Sequence, residues 1–190
     1  IARVDVRIRP SLTRGRSTFT YFPGTIRIPE GAAPDVKNTS FTVTAEIQIP
    51  EGGAEGMLVT QGGRFGGWGL LVRDGKPEFD YAYSNQPQHK YRVTSGEKLA
   101  AGKHTIKLVF KYDGPGMGKS GTGTLTVDGK QVAQGKIGRT IPVRFSLDET
   151  FDIGEDTGTP VVEDYVNKMP FKFTGDLKKV VIELGKSALT

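Results

Sequence analysis

Cysteine is absent from this chain of 190 residues. Its absence excludes disulfide bonds, thiolate metal sites and a cysteine nucleophile, and with them the small extracellular modules that disulfides hold together. Histidine occurs only at His89 and His104, which is too few for a three-histidine metal site. Neither histidine has an evident nucleophile partner in the sequence. These two residue types therefore indicate no catalytic centre.

Long apolar runs and blocks of like charge are also missing. No stretch approaches the roughly 20 apolar residues that cross a bilayer, so we expect no membrane partner. The 26 Lys and Arg residues exceed the 21 Asp and Glu residues by a net charge of +5, but they are scattered. Because a nucleic-acid footprint needs clustered charge, we expect no nucleic-acid partner. The chain starts at Ile1 without an initiator Met or a signal peptide, and we expect it to be a fragment of a larger protein.

What the sequence does contain is alternation of apolar and polar residues with a period of two. The alternation runs through Phe41–Ile49, His104–Tyr112, Val143–Leu147 and Lys178–Leu184. Successive side chains of a strand point to opposite faces, so each stretch predicts a strand with one buried face. No window of comparable length has the helical period of 3.6.

Turn chemistry supports the same fold class. Asp74-Gly75 and Asp128-Gly129 each separate two strand-like runs, which predicts hairpins over Trp68–Tyr83 and Thr122–Gln134. Many short strands with frequent Gly and Pro are typical of a sandwich. We therefore predict an all-β fold, an antiparallel two-sheet β-sandwich of the jelly-roll type. Residues 19–190 would form a single domain, and residues 1–18 either an edge strand or an N-terminal connection.

An acidic cluster is the first candidate site, made of Asp148, Asp152, Glu155 and Asp156. On a strand, Asp148 and Asp152 would share a face about 13 Å apart. That distance exceeds the roughly 5 to 9.5 Å between the carboxyl groups of glycosidases. Ca²⁺ is the better functional interpretation, because it accepts carboxylate and carbonyl oxygens in irregular geometry. The alternative is a solvated strand end and turn.

Aromatic residues in consecutive strands are the second candidate site. Phe79, Tyr81 and Tyr83 fall on one face of a predicted strand, and aromatic rings on a sheet can stack on sugar rings. The candidate ligand-binding residues are Trp68, Tyr81, Tyr83 and Tyr91. The alternative is that the row belongs to the core, where aromatic side chains bury the largest areas.

Four strings in order along the chain resemble a known family of sandwiches. They are Leu70–Gly75, Ala101–Leu108, Leu125–Val132 and Phe151–Gly154. The order of strands, the Gly-x-His strand and the Val-Asp-Gly hairpin are similar to those of concanavalin A-like and laminin G-like domains. The resemblance implies a lectin or glucanase type of sandwich.

Longer strings resemble the C-terminal region of large bacterial arylsulfatases, over about Phe19 to Leu184. They are Tyr21–Gly24, Gln61–Trp68, Phe151–Val161 and Pro170–Gly175. That family uses a formylglycine made from a Cys/Ser-x-Pro-x-Arg motif, and a divalent metal bound by carboxylates, in a preceding catalytic domain. Nothing in this chain matches that apparatus. The resemblance thus implies a non-catalytic accessory domain of a bacterial cytoplasmic or periplasmic protein, with any sulfate-ester hydrolysis in the missing part.

The partner implied by this resemblance is the sulfatase catalytic domain of the same polypeptide. We expect the segments Gln61–Gly69 and Phe151–Val161 to form loops that contact it, because loops on a rigid scaffold often carry an interface. The contact residues expected there are Arg64, Phe65, Asp156 and Thr157.

An alternative from another class is a carbohydrate-binding, lectin-like module. It would hold a glycan on the Tyr81 and Tyr83 face, with or without Ca²⁺. A jelly-roll glycoside hydrolase is a third interpretation, and the spacing of its carboxylates argues against it.

Overall fold

The fold follows from a computed structural model that describes residues 11–189. What was predicted for residues 1–10 lies outside this range. Within residues 11–189, twelve strands form two antiparallel sheets of six strands each. The predicted all-β sandwich is therefore confirmed. Among residues 11–189, no helix has the length and apolar character that a membrane span requires.

Sheet A has the strand order β1-β12-β3-β8-β9-β10. Its long central strands bury alternate residues, as the period of two predicted. The strands are β1 (Thr18–Tyr21), β3 (Thr39–Ile49), β8 (Gly102–Tyr112), β9 (Gly121–Val127), β10 (Lys130–Ile137) and β12 (Asp176–Ser187).

Sheet B has the strand order β2-β11-β4-β5-β6-β7. Its central strands are buried on both faces and do not alternate. The strands are β2 (Ile28–Pro29), β4 (Gly56–Gly63), β5 (Gly66–Arg73), β6 (Lys76–Ala82), β7 (Lys90–Thr94) and β11 (Thr150–Ile153). Short 3-10 helices span Glu30–Ala32, Pro87–His89 and Glu163–Lys168.

Both predicted hairpins are confirmed. Arg73 pairs with Lys76 across the β5–β6 turn, and Val127 pairs with Lys130 across the β9–β10 turn. Each Asp-Gly pair has positive φ at both residues, with values of 52° and 76° in the first turn. A two-residue turn of this handedness matches the twist of the flanking strands, which explains why Asp-Gly occupies both turns.

The main core lies between the sheets and is rich in aromatic rings. Phe41 of β3 packs on Phe110 of β8 with ring centroids 5.1 Å apart, and on Trp68 of β5 at 5.7 Å. Phe79 of β6 reaches Phe110 from the opposite sheet at 6.3 Å. Aromatic contacts of this kind join the two sheets across the core.

A second, smaller core lies on the outer face of sheet B. We call residues 154–175, which connect β11 to β12, the cover segment. Its apolar side chains pack against outward-facing residues of β4, β5 and β6; the cluster comprises Met57, Leu71, Ala82, Val161, Val162, Tyr165 and Phe171. At Gly56, which has φ of 132°, a Cβ atom would lie 2.3 Å from the Cα of Phe173. The cover segment thus lies directly on the sheet.

The strand predicted over Val143–Leu147 is wrong. These residues belong to the irregular connection between β10 and β11. Only Phe145 is buried, whereas Val143 and Leu147 are 69% and 79% exposed. Their alternation has no neighbouring strand with which to pair, so it does not produce a strand.

Candidate functional site

Two of the predicted ligand-binding aromatics belong to the core. Trp68 and Tyr81 are 0% and 3% exposed, so neither presents a ring face to solvent. The Trp68 Nε1 donates to Gln61 Oε1 over 3.1 Å, and Tyr81 Oη accepts from the backbone N–H of Ile141 over 2.8 Å. Burial raises the pKa of Tyr81. The prediction that these two residues bind a ligand is corrected: they hold the sheet and the β10–β11 connection together.

Tyr83 and Tyr91 lie differently, because both are half-buried at the end of sheet B. The guanidinium of Arg139 lies over the ring of Tyr83, 5.4 Å from its centroid. The imidazole of His89 meets the same ring edge-on, at 5.4 Å and an interplanar angle of 87°. Tyr91 lies against Gly138, where a Cβ atom would be 3.1 Å from the tyrosine hydroxyl. An aromatic ring, an imidazole and a guanidinium therefore meet at this edge.

Strand pairing places the turn of Arg64 and Phe65 at the same edge. Gly67 pairs with Ala82, so the β4–β5 turn and the segment after β6 leave the sheet side by side. Lys90, at the start of β7, joins the segment after β6 to the β4–β5 turn, because its Nζ donates to the carbonyl oxygen of Arg64 over 2.5 Å. Phe65 is 63% exposed. We call this edge, made of Phe65, Tyr83, His89, Tyr91 and Arg139, the Tyr83 rim.

The Tyr83 rim offers cations and hydrogen-bonding groups to solvent. Arg139 is exposed and forms no salt bridge with another residue of the range 11–189. His89 Nδ1 lies 2.8 Å from the Ser84 hydroxyl. Arg64 forms a salt bridge with Glu163 at 3.3 Å, while its buried Nε has no hydrogen-bond partner. A guanidinium can donate five hydrogen bonds in a fixed plane, so the exposed Arg139 offers donors beside the Tyr83 ring, whereas the Nε of Arg64 is closed to solvent.

The four acidic residues predicted as a metal site do not form one ligand set. Asp148 is exposed and precedes β11, so it does not share a strand face with Asp152. Asp152 is buried, and its carboxylate accepts from the backbone N–H of Arg27 (2.5 Å) and of Thr157 (2.9 Å). Among the described residues, no group of three His, Asp or Glu side chains could hold a metal ion. The predicted geometry is therefore wrong, and Ca²⁺ binding itself stays a prediction.

Asp156, the fourth member of that set, has a structural role. It is 1% exposed and accepts a hydrogen bond of 2.9 Å from the Tyr165 hydroxyl in the cover segment. Burial raises its pKa to about 7, and the nearby carboxylates of Asp152 and Glu149 act in the same direction. Glu155, beside it in sequence, is half-buried.

The residues predicted to contact another domain are divided between surface and interior. The Gln61–Gly69 segment is a tight hairpin and not a loop, because only Arg64 and Phe65 lie outside β4 and β5. These two are accessible, whereas Asp156 is buried and cannot touch a partner directly. Thr157 is half-buried and donates from its hydroxyl to Asp152 over 2.8 Å.

A buried charge network lies beneath the cover segment, on the outer face of sheet B. Glu78 and Asp80 are 1% and 0% exposed. Arg73 pairs with Glu78 at 2.9 Å and Arg92 pairs with Asp80 at 3.1 Å, and Asp164 of the cover segment bridges the two guanidinium groups at 2.6 and 2.8 Å. Burial, followed by the charge of Glu78, raises the pKa of Asp80 well above its usual 3.8. Glu78 and Asp80 are closed to solvent, whereas Arg92 and Asp164 are partly exposed at the border of the network.

The sequence analysis did not predict that Arg139 and His89 contact the ring of Tyr83. Arg139 follows β10 and is far from Tyr83 in sequence, so no local pattern joins them. Their contact depends on the packing of β10 against β7, where Gly135 lies against Val93. Only a correct pairing of the two sheets could have placed them together.

Known proteins are similar to this chain in sequence pattern and in fold. The concanavalin A-like lectin/glucanases superfamily matches residues 23–180. No curated protein matches the sequence. Among solved structures, the CBM40 module of the Ruminococcus gnavus IT-sialidase, bound to α2,3-sialyllactose, is 13% identical with a TM-score of 0.53 over 88% of this chain and 89% of that one. The NanB sialidase from Streptococcus pneumoniae, as its K499G mutant, is 13% identical with a TM-score of 0.59 over 90% of this chain and 26% of that one.

At 13% identity these two structures share the fold alone with this chain. The family match is stronger evidence, because it spans most of the sequence and includes both hairpins and the Tyr83 rim. The resemblance to concanavalin A-like and laminin G-like domains is thereby confirmed. The chain belongs to the concanavalin A-like lectin/glucanases superfamily.

Proposed function

We propose that this domain is a non-catalytic, lectin-like module that binds a glycan at the Tyr83 rim. The observation that carries the proposal is the ring of Tyr83, held at the end of the sandwich between the exposed guanidinium of Arg139 and the imidazole of His89. Sugars combine apolar C–H faces with rings of hydroxyl groups. An aromatic ring flanked by polar donors complements both features.

Several polar groups beside the Tyr83 rim are suited to hydrogen bonds with a sugar. Gln86 and Gln88 are exposed beside Tyr83, and the Nε2 of Gln88 donates to Gln86 Oε1 over 2.7 Å, which orients both amides. The Phe65 ring supplies a second apolar surface. The 3-10 helix Pro87–His89 limits the freedom of this segment, so little entropy is lost when a ligand binds.

The comparisons support a glycan as the ligand class. The first of the two related structures is a carbohydrate-binding module that holds α2,3-sialyllactose, and the second is a sialidase. Both belong to proteins that recognise or process sugars. The lectin-like interpretation thus has more support than the sulfatase one.

The test is binding of the purified domain to a glycan array. We expect the native domain to bind and Tyr83→Ala to lose at least about tenfold in affinity, or about 1.4 kcal/mol, because the stacking surface is removed. Since Tyr83 is half-buried, Arg139→Gln provides a second variant at a fully exposed position, with a smaller loss expected.

The matched control is Phe22→Ala, which removes an aromatic ring that is 57% exposed in the connection after β1. This variant should bind like the native domain. Array silence for the native protein, or equal losses for Phe22→Ala and Tyr83→Ala, would contradict glycan binding at the rim.

A second candidate function is an accessory domain on an arylsulfatase catalytic domain. One observation favours it: the strings that resemble arylsulfatases are neighbours in space. Pro23 lies 3.7 Å from a Cβ built at Gly154, Phe173 donates its N–H to the Gly154 carbonyl, and Thr159 lies against Gly63. The resemblance therefore covers one continuous region around the cover segment.

This second proposal makes two checkable statements. A Cys/Ser-x-Pro-x-Arg motif should be encoded upstream of Ile1, and the purified domain should not hydrolyse aryl sulfates. Turnover by the domain alone would refute an accessory role, and a different type of upstream domain would refute the sulfatase parentage.

A further inference from the structure

A row of lysines without acidic partners crosses the outer face of sheet A. Strand β8 buries Ile106 and Leu108 and turns Lys103, Lys107 and Lys111 outward. Along a strand, residues four apart are separated by about 13 Å. Within residues 11–189, none of these three side chains forms a salt bridge or a side-chain hydrogen bond. They are three unpaired cations in a straight line.

The strand beside this row adds hydroxyl groups and no carboxylate. On β9, Thr122 and Thr126 pair with Lys111 and Lys107, and Thr124 lies between them. All three threonines are partly exposed. Ammonium and hydroxyl groups therefore alternate across β8 and β9, on a surface that no other part of the range 11–189 covers.

On the other side, β3 adds two more threonines and one carboxylate. Thr42 and Thr44 pair with Val109 and Lys107. Glu46 is the carboxylate of this strand, and it pairs with Lys179 of β12 at 3.4 Å. The acidic group nearest to the row on β3 is thus already compensated.

Carboxylates at the two ends of the row are also engaged. Asp113, two residues beyond Lys111, is bound by Lys136 at 2.5 Å. Asp128, which lines a cleft with Lys103, is bound by His104 at 2.7 Å. Glu183 of β12 lines the same cleft as Lys111 and accepts a hydrogen bond of 3.2 Å from the Thr42 hydroxyl. Within residues 11–189, acidic groups thus flank the row, but none forms a salt bridge with its three lysines.

Each end of the row opens into a shallow cleft. One cleft, of about 260 Å³, is lined by Lys103 and Thr105. The other, of about 450 Å³, is lined by Val109, Lys111 and Thr42. A ligand that lay along β8 would reach from one cleft to the other and would pass all three lysines.

We propose that this face binds a linear polysaccharide that carries carboxylate or sulfate groups along its length. Cations in line match an extended polymer of repeated negative charge better than a compact anion, which one cluster would hold. Threonine hydroxyls on both sides match the hydroxyl groups of sugars. The surface is separate from the Tyr83 rim, so either site can fail without the other.

The experiment is affinity electrophoresis of the full chain in gels that contain polygalacturonate, dextran sulfate or neutral dextran. We expect retardation by the two acidic polymers and none by neutral dextran. The triple variant K103Q/K107Q/K111Q should lower the association constant by about tenfold, because each exposed ion pair contributes a few-fold. Raising the salt concentration should weaken retardation of the native chain more than that of the variant.

The matched control is K76Q/K98Q/K172Q, which removes the same charge at two exposed positions and one half-buried position, all outside the strands of sheet A. It should stay within about twofold of the native chain. Equal loss in both triple variants would mean that net charge alone is responsible, which overturns the proposal. Absence of retardation overturns it too, and so does duplex DNA that binds as tightly and responds to the same variant.

Discussion

The outer faces of the two sheets differ in what lies upon them. The face of sheet A is open, and its charged residues are directed into solvent, with Glu46 and Glu183 among the lysines. The face of sheet B is covered by residues 154–175, and its charged residues are acids and arginines paired with one another. Charge placed on an open face stays hydrated and free to meet a ligand. Charge beneath a cover must be neutralised within the protein, because burial of an unpaired ion is costly.

This difference explains the sequences of the strands. β3 and β8 alternate because one side of each is wet. β4 has no exposed residue, and its sequence, Gly-Met-Leu-Val-Thr-Gln-Gly-Gly, shows no alternation because both sides are dry. The comparison also predicts that perturbing the covered face changes stability, whereas perturbing the open face changes binding.

The largest effect is expected from Tyr165→Ala in the cover segment. Tyr165 is fully buried, stacks on Phe171 with centroids 4.9 Å apart, and its hydroxyl joins Val161 and Asp156. The substitution leaves a cavity and unpaired polar groups, so we expect the free energy of unfolding to fall by about 3 to 5 kcal/mol. Urea denaturation followed by fluorescence measures this change.

The control for this prediction is Val109→Ala on the outer face of sheet A. Val109 is 36% exposed, and its truncation should change the free energy of unfolding by less than about 0.5 kcal/mol. Similar losses for the two variants would show that the cover segment is no more tightly integrated than the open face.

How far the sequence predicts this fold depends on which faces are wet. The strands over Phe41–Ile49 and His104–Tyr112 and the two Asp-Gly hairpins were correctly predicted, because alternation and turn chemistry are local signals. The cover segment has neither signal. Its position depends on contacts such as Tyr165 with Phe171 and Phe173 with Gly56, which join distant parts of the chain.

The candidate site was predicted only in part, for a related reason. Alternation placed Tyr81 and Tyr83 on one face but could not show that β6 ends at Ala82, so that Tyr81 enters the core and Tyr83 reaches the edge. The acidic cluster shows the converse. Asp148 and Asp156 are close in sequence, but one is exposed and the other is buried within the cover segment. Residues that are close in sequence therefore need not place their carboxylates around one metal ion.

An intermediate effect is expected from pH, through Asp156 in the cover segment. Its folded pKa of about 7 lies above the usual 3.8, so the folded state binds more protons than the unfolded state between these values. Its contribution to stability is complete below about pH 4 and is lost as the pH rises through 7. Asp156→Asn removes the titrating carboxyl group, so only the native chain loses stability through this site as the pH rises. The difference in the free energy of unfolding between variant and native chain should therefore shift by on the order of 3 kcal/mol from pH 4 to pH 8. Parallel pH curves for the two proteins would contradict this assignment.

The smallest effect is expected from His104, near the start of β8 in sheet A. Partial burial lowers its pKa, but the hydrogen bonds to Asp128 and to the Ala100 carbonyl raise it, and the net direction is upward from 6.5. The stabilisation is therefore present below pH 6.5 and is lost as the pH rises through the folded pKa. Because Asp128 is about half exposed and solvent screens the pair, His104→Gln should cost less than about 1 kcal/mol at pH 6 and still less at pH 9. NMR titration measures the pKa of each histidine directly. A pKa of His104 below 6.5 would show that burial outweighs its two hydrogen bonds.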